Sequence, residues 1–307
     1  MELLRGLESI RSPFLSTVLG LITRLGEETI AIIVLCAIFW CINKRVAYGI
    51  GVAYFLSGLS VQGMKICFRI DRPWVIDPTL RPVPSALTTA TGYSFPSGHT
   101  QSATALFGSL GIQIKQKAVK IVCFLLLLLV AFSRMYLGVH TLLDVGVSLL
   151  VTLLFVTLAA IYLSGSIEGN KRGLILAVFM VLFAIAVILV ATVLYSGGKI
   201  EQEYLTDCLK AAGAGVGYAV GMYIECAYIK FPEKAKNILW QIIKFVLGFA
   251  GVLIIKEGLK LIVGTGLVVD TLRYFLMLMW VTVFFPLIIK RFFSAPAAAV
   301  SANADSE

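Results

Sequence analysis

The chain has only two histidines, and each stands in a dense polar motif between apolar stretches. His99 closes the tetrapeptide Pro96-Ser97-Gly98-His99, and His140 lies in Ser133-Arg134-x5-His140-x3-Asp144. A third polar element, Lys65-x6-Arg72-Pro73, precedes both. Two imidazoles, three cations and a carboxylate are the parts that phosphoryl transfer asks for. The transferring group is anionic, so fixed cations must hold its oxygens while charge redistributes. Lys65, Arg72 and Arg134 supply them, the arginines with forked donors matched to phosphate. Ser97 and the backbone N–H of Gly98 add donors where a helix N-terminus would contribute positive potential, and a glycine there lets the backbone approach a ligand. His140 and Asp144, four residues apart on one helical face, pair a nucleophile with a carboxylate that orients its ring. His99 could protonate the leaving alcohol. No carboxylate cluster is placed to hold magnesium or zinc, so neither a metal nor another cofactor is expected.

The elements that position these residues are membrane helices. Hydrophobic residues make up 59% of the chain and charged residues 14%, and mean hydropathy is +0.94. Soluble domains are nearer about 45–50% and about 25%. Apolar runs long enough to span a bilayer predict nine helices, near 27–42, 46–66, 98–115, 118–135, 141–163, 173–196, 208–229, 238–263 and 270–291. Residues 3–25 place Leu3, Leu4, Leu7, Ile10, Phe14, Val18, Ile22 and Leu25 at helical spacing, with Pro13 in the middle. That pattern predicts an amphipathic helix lying in the interface. The fold class is therefore all-α, a polytopic membrane bundle of about nine transmembrane helices with an interfacial N-terminal helix.

Basic residues alternate between the two sets of connections. Lys44 and Arg45, then Lys115, Lys117 and Lys120, then Lys171 and Arg172, then Lys230, Lys234 and Lys236, and finally Lys290 and Arg291 fall on one set. The other, outside the motifs, carries little beyond Lys199. The first set is expected in the cytoplasm, which puts Lys65 to His99 and the Arg134–His140 turn together on the outer face. The net charge of +9 is then a matter of topology and lipid headgroups, not of nucleic-acid binding. The six cysteines form no metal-ligand pattern, and only a Cys67–Cys208 bridge is conceivable. No N-x-Ser/Thr acceptor occurs, which favours a bacterial origin in a multi-pass cell membrane. No cleavable signal peptide stands out.

Taken together, Lys65-x6-Arg72-Pro73, Pro96-Ser97-Gly98-His99 and Ser133-Arg134-x5-His140-x3-Asp144 resemble the three-part signature of the type 2 phosphatidic acid phosphatase (PAP2) superfamily, with every signature position filled. The resemblance covers residues 1–163, a PAP2-like catalytic membrane core. It implies a metal-independent phosphatase with a phosphohistidine intermediate. It makes His140 the nucleophile, Asp144 its partner and His99 the acid, with Lys65, Arg72, Ser97, Gly98 and Arg134 binding phosphate. The family's soluble haloperoxidase branch does not fit the spans.

A site at the outer face near the headgroups points to a lipid phosphate monoester or diphosphate, such as phosphatidic acid, phosphatidylglycerol phosphate or undecaprenyl pyrophosphate. A soluble phosphate ester, as in the nine-span glucose-6-phosphatases, is the alternative, and a phosphate-ester transporter a more distant one. Residues 74–95, with Trp74, Arg81, Tyr93, Phe95 and three prolines, read as a lid over the headgroup or as a rigid external loop. Residues 164–293 add further transmembrane helices, left to pack on the core, shape lipid entry or form a homo-oligomer. Within them, Gly213-x3-Gly217-x3-Gly221 predicts a close helix contact. Glu225, Lys256, Glu257 and Lys260 read as snorkelling or paired charges. The Ala/Ser-rich end, residues 294–307, is expected to be disordered.

Overall fold

Pairing every backbone polar group within its own segment is what a bilayer demands, and the chain answers with helices throughout. A computed structural model describes residues 1–165 and 171–293. The helices are α1 (Glu2–Ser9), α2 (Pro13–Thr23), α3 (Glu28–Cys41), α4 (Lys44–Phe68), α5 (Pro73–Ile76), α6 (Pro84–Leu87), α7 (Gly98–Ala103), α8 (Ser109–Gln113), α9 (Lys117–Tyr136) and α10 (Leu142–Tyr162). They continue with α11 (Lys171–Ser196), α12 (Gln202–Ile224), α13 (Ile238–Leu253), α14 (Leu259–Val263), α15 (Leu267–Met279) and α16 (Phe285–Ile288). A π-helical turn at Thr104–Gly108 joins α7 to α8, and others extend or link the later helices.

Each of the nine predicted segments is helical. Among the described residues, six stretches are long and apolar enough to cross a membrane: Lys44–Ile76, Lys117–Tyr136, Leu142–Tyr162, Lys171–Ser196, Ile238–Val263 and Leu267–Phe293. The other three fall short of that measure. α3 has 14 residues, Gly98–Gln113 is broken into pieces by its π turn, and α12 carries Glu203, Asp207 and Lys210 in its first half. Outward-facing leucines and isoleucines are exposed at mid-helix, Leu150 by 71% and Leu189 by 60%. That surface suits lipid and not water.

The N-terminal segment corrects the expectation of a single helix. Ser12 accepts a hydrogen bond from the Leu15 N–H and Pro13 occupies the first turn, so a second helix starts where the first has ended. α1 is fastened to the loop before α6. Arg5 pairs with Asp77 at 2.6 Å, and Glu8 accepts from the Arg81 N–H at 3.0 Å. Leu4 and Leu7 are buried against Leu80, Ala86, Tyr136 and Leu137, while Phe14 on α2 stays 75% exposed.

The largest apolar cluster draws on both halves of the chain, joining Trp40 and Tyr48 to Tyr218, Phe231 and Phe285. Basic residues gather at the end of α4 away from the motifs. Lys44 pairs with the fully buried Glu225 at 3.1 Å, and the Phe231 N–H donates to the same carboxylate at 3.1 Å. Arg45 donates to the carbonyls of Leu163, Ser164 and Gly165. Glu225 is thus a paired structural charge. The tail, residues 294–307, lies outside the described residues, and none of the six cysteines forms a disulfide.

The glycine stripe on α12 meets α15 and the turn after it. A Cβ on Gly213 would come 2.4 Å from the Thr271 carbonyl oxygen, and one on Gly217 2.5 Å from that of Phe275. At Gly221 the obstacle is the Thr282 side chain. Backbone cannot swing aside as a side chain can, so Gly217→Val should force the helices apart. The expected cost is about 1–3 kcal/mol, the range for overpacking, read as a lowered thermal midpoint in detergent; an unchanged midpoint would show that α12 and α15 can separate freely.

Candidate active site

The three motifs converge at the end of the bundle where α4 and α9 finish and α7 and α10 begin. Each local structure follows from a cap. Ser97 caps α7, its Oγ accepting from Thr100. Thr141 caps α10 in a reciprocal box: its Oγ1 accepts from the Asp144 N–H at 3.2 Å, and Asp144 Oδ2 accepts from the Thr141 N–H at 2.7 Å. The two caps are tied together by the Ser97 N–H donating to the Asp144 carbonyl at 3.1 Å and by Ser148 Oγ donating to the Ser97 carbonyl at 2.7 Å.

This corrects the expectation that His140 and Asp144 share a helical face. His140 precedes the cap residue and lies outside α10, while Asp144 is the third residue of the helix. Their approach, 3.5 Å from Nδ1 to Oδ2, comes from the turn at Thr141. Both side chains are almost wholly buried. On the other edge of the ring, Arg72 Nη1 lies 2.9 Å from His140 Nε2. A guanidinium can only donate, so Nε2 presents its lone pair there and the ring proton is assigned to Nδ1, facing Asp144. Burial first, and then the charges of Arg72, Arg134 and Lys65, push the His140 pKa well below the ordinary imidazole value. The ring is neutral, with a nucleophilic nitrogen among cations.

Arg72 is held in place by carbonyls. Its Nε donates to Gly92 at 2.9 Å, Nη2 to Thr91 at 2.5 Å and Nη1 also to Val139 at 3.1 Å. Residues 74–95 are thereby anchored: Leu80 and Ala86 are buried, the Val83 N–H bonds to Leu137 and the Ser94 N–H to Ile70. Gly92, at φ +62°, packs under Tyr204 of α12, whose ring stacks on Tyr93 at 4.2 Å. The segment is a braced loop.

Arg134 is fully buried and spends one nitrogen on Thr23, Nη1 donating to Oγ1 at 3.0 Å. Its Nε and Nη2 have no protein partner, and neither does His99 Nε2. Unpaired buried nitrogens are costly, and Arg134 lies close enough to His99 to act on it electrostatically. His99 lies in the electrostatic field of Arg134, His140, Lys65 and Arg72, and Lys65 in that of Arg72, Arg134 and Asp144. Gly98 has open space where a Cβ would stand and, with Lys65, lines a cavity beside the histidines. All eight residues singled out by sequence are thus gathered at one end of the bundle. Ser97 caps α7 with its hydroxyl oxygen, and its hydroxyl proton is still available to donate.

Three residues of the site escaped the sequence reading. Ser94 Oγ donates to Asp144 Oδ2 at 2.6 Å and lies 3.4 Å from His140 Nδ1. Thr23 holds Arg134. Gly26 packs directly on the His99 backbone, where a Cβ would fall 2.6 Å from its carbonyl oxygen. The only available signal was the nearness of Ser94 to the Pro96–His99 motif; nothing local marks Thr23 or Gly26. Among the described residues, no group of three or more His, Cys, Asp or Glu side chains could hold a metal ion.

Residues 44–168 match the PAP2 superfamily, and residues 209–297 match the PAP2 superfamily phosphatase, transmembrane extension. Phosphatidylglycerophosphatase B of Bacillus subtilis (strain 168) is 28% identical over 164 residues, spanning 48% of this chain and 75% of that protein. No solved structure matches the chain.

Proposed function

The chain belongs to the PAP2 superfamily, and we propose that it hydrolyses a lipid phosphate monoester or diphosphate at the outer membrane face, through a phosphohistidine intermediate and without a metal. The observation that carries this reading is the chain Arg72–His140–Asp144 beside the unpartnered nitrogens of Arg134 and His99. A phosphoryl group seated there has its oxygens held by Lys65, Arg72, Arg134 and the Gly98 N–H, with Ser97 able to donate. His140 Nε2 attacks phosphorus as the bond to the alcohol oxygen breaks. His99 takes up a proton when the bound phosphate's negative charge offsets the surrounding cations, and it gives that proton to the departing oxygen. Asp144 stabilises the positive charge that develops on the ring. Water then attacks the phosphohistidine, His99 takes the water's proton, and inorganic phosphate leaves His140 neutral again.

The distribution of Lys and Arg over the connections supports the outer face, and a site at the end of an apolar helical bundle supports a lipid substrate. The Bacillus relative's name refers to phosphatidylglycerophosphate, so that lipid belongs in a panel with phosphatidic acid, undecaprenyl pyrophosphate and glucose 6-phosphate, assayed in mixed micelles. Lipid turnover that survives prolonged EDTA treatment is expected. Turnover of the sugar phosphate with none of the lipids would overturn the lipid reading, and activity lost to EDTA and restored by magnesium the metal-free one.

Ser94 gives a finer test. Its hydroxyl is a donor to the carboxylate that orients His140, a charge-assisted bond worth about 1.5–3 kcal/mol. If that orientation is needed in the transition state, Ser94→Ala lowers kcat/KM by about 10–100-fold. A variant with wild-type kcat/KM would show that Thr141 alone holds Asp144 well enough.

A further inference from the structure

A cavity of about 350 Å³ opens beside the phosphate site, and most of its polar lining is unused by the chemistry above. Lys65 and Gly98 form its border with the histidines. Glu28 comes from α3, Gln62 from α4 and Gln101 from α7. Asp207 and Lys210 come from α12 and Tyr274 from α15. We infer that this cavity receives the leaving alcohol and selects one that bears a free hydroxyl near the phosphate, so that the transmembrane extension completes the substrate site. The inference rests on the phosphatase reading and specifies its substrate.

Three observations support it. The first is continuity, since the cavity shares Lys65 and Gly98 with the phosphate cradle and Thr91, whose carbonyl holds Arg72, also lines it. A group bonded to a phosphate in the cradle has this space open to it, at the low end of the about 300–1,000 Å³ typical of ligand pockets. The second is charge. Glu28 and Asp207 would repel a second phosphate, and Lys210 is already engaged with Asp207 at 3.4 Å. Carboxylates beside an ammonium and carboxamides suit a group that both donates and accepts, as a hydroxyl does. The third is availability. Gln101 is tied to Tyr54 and Ser57 through Nε2, but among the described residues the side chains of Glu28, Gln62 and Lys65 make no hydrogen bond. Polar side chains that line a cavity in an apolar bundle and make no hydrogen bond are open to a ligand's polar groups.

The test compares 1-acylglycerol 3-phosphate with its 2-deoxy analogue, which lacks only the hydroxyl, in the same mixed micelles. The readout is the ratio of their kcat/KM values for wild type, Asp207→Asn, Glu28→Gln and Lys210→Gln. Because both substrates are measured on one preparation, any loss of folded protein cancels. Wild type should favour the hydroxyl-bearing substrate by about tenfold or more, and Asp207→Asn and Glu28→Gln should bring the ratio toward one. A wild-type ratio near one, or a ratio unmoved in all three variants, overturns the subsite while leaving the phosphatase reading intact. Wild-type protein that turns over neither lipid, nor p-nitrophenyl phosphate, overturns the phosphatase reading and the subsite with it.

Discussion

His140→Ala will abolish substrate turnover and the trapped phosphoenzyme together. The reason is the atom it deletes. Nε2 is the only imidazole nitrogen whose environment both exposes a lone pair to cations and backs the ring with a carboxylate: Arg72 at 2.9 Å on one edge and Asp144 at 3.5 Å on the other. Alanine leaves the phosphate cradle standing, since Arg72 keeps its bonds to Thr91, Gly92 and Val139 through other contacts. Substrate should therefore still bind while the rate falls on the order of 10⁶-fold, the scale on which losing a covalent nucleophile acts. Rapid-quench experiments with phosphorus-labelled substrate read both quantities. Labelled protein in the variant, or phosphate release within a hundredfold of wild type, would assign the attack to another group.

Much of this site was legible because its chemistry is concentrated in short motifs. Cations, imidazoles and a carboxylate stand out when they interrupt apolar helices, where each costs free energy to place. Helix positions were legible for the same reason, hydropathy being what a bilayer reads. Spacing misled where a cap intervened. A spacing of four from His140 to Asp144 suggests a helical face, yet Thr141 caps a helix that starts only at Leu142, after His140. Similarly, Pro13 marked an interruption without showing that Ser12 would cap a separate helix. What no local pattern could reveal is the set of long-range partners. Thr23 meets Arg134 across 111 positions, Ser94 meets Asp144 across 50, and the cavity joins Glu28 to Asp207 and Tyr274. Such contacts depend on how helices pack, and the glycines that permit the packing say only that some backbone comes near.

His99→Ala should behave differently from His140→Ala, and the difference separates acid from nucleophile. The variant keeps the attacking nitrogen, so phosphoenzyme can still form, but the departing alkoxide must leave without a proton. For an alkyl or acylglycerol phosphate the expected loss is about 10²–10⁴-fold, the usual worth of a general acid. p-Nitrophenyl phosphate has a leaving group that departs as a stable anion, so its phosphorylation step should be far less impaired. Release of phosphate from His140 still needs His99 to take the proton of the attacking water. With the aryl substrate the variant should therefore accumulate phosphoenzyme, showing a burst of nitrophenol followed by slow turnover. The position of His99, with its Nε2 buried and unpartnered and its backbone set against Gly26, suits both proton transfers. Equal losses for alkyl and aryl substrates, with no burst, would mean that His99 binds phosphate and that the proton comes from elsewhere.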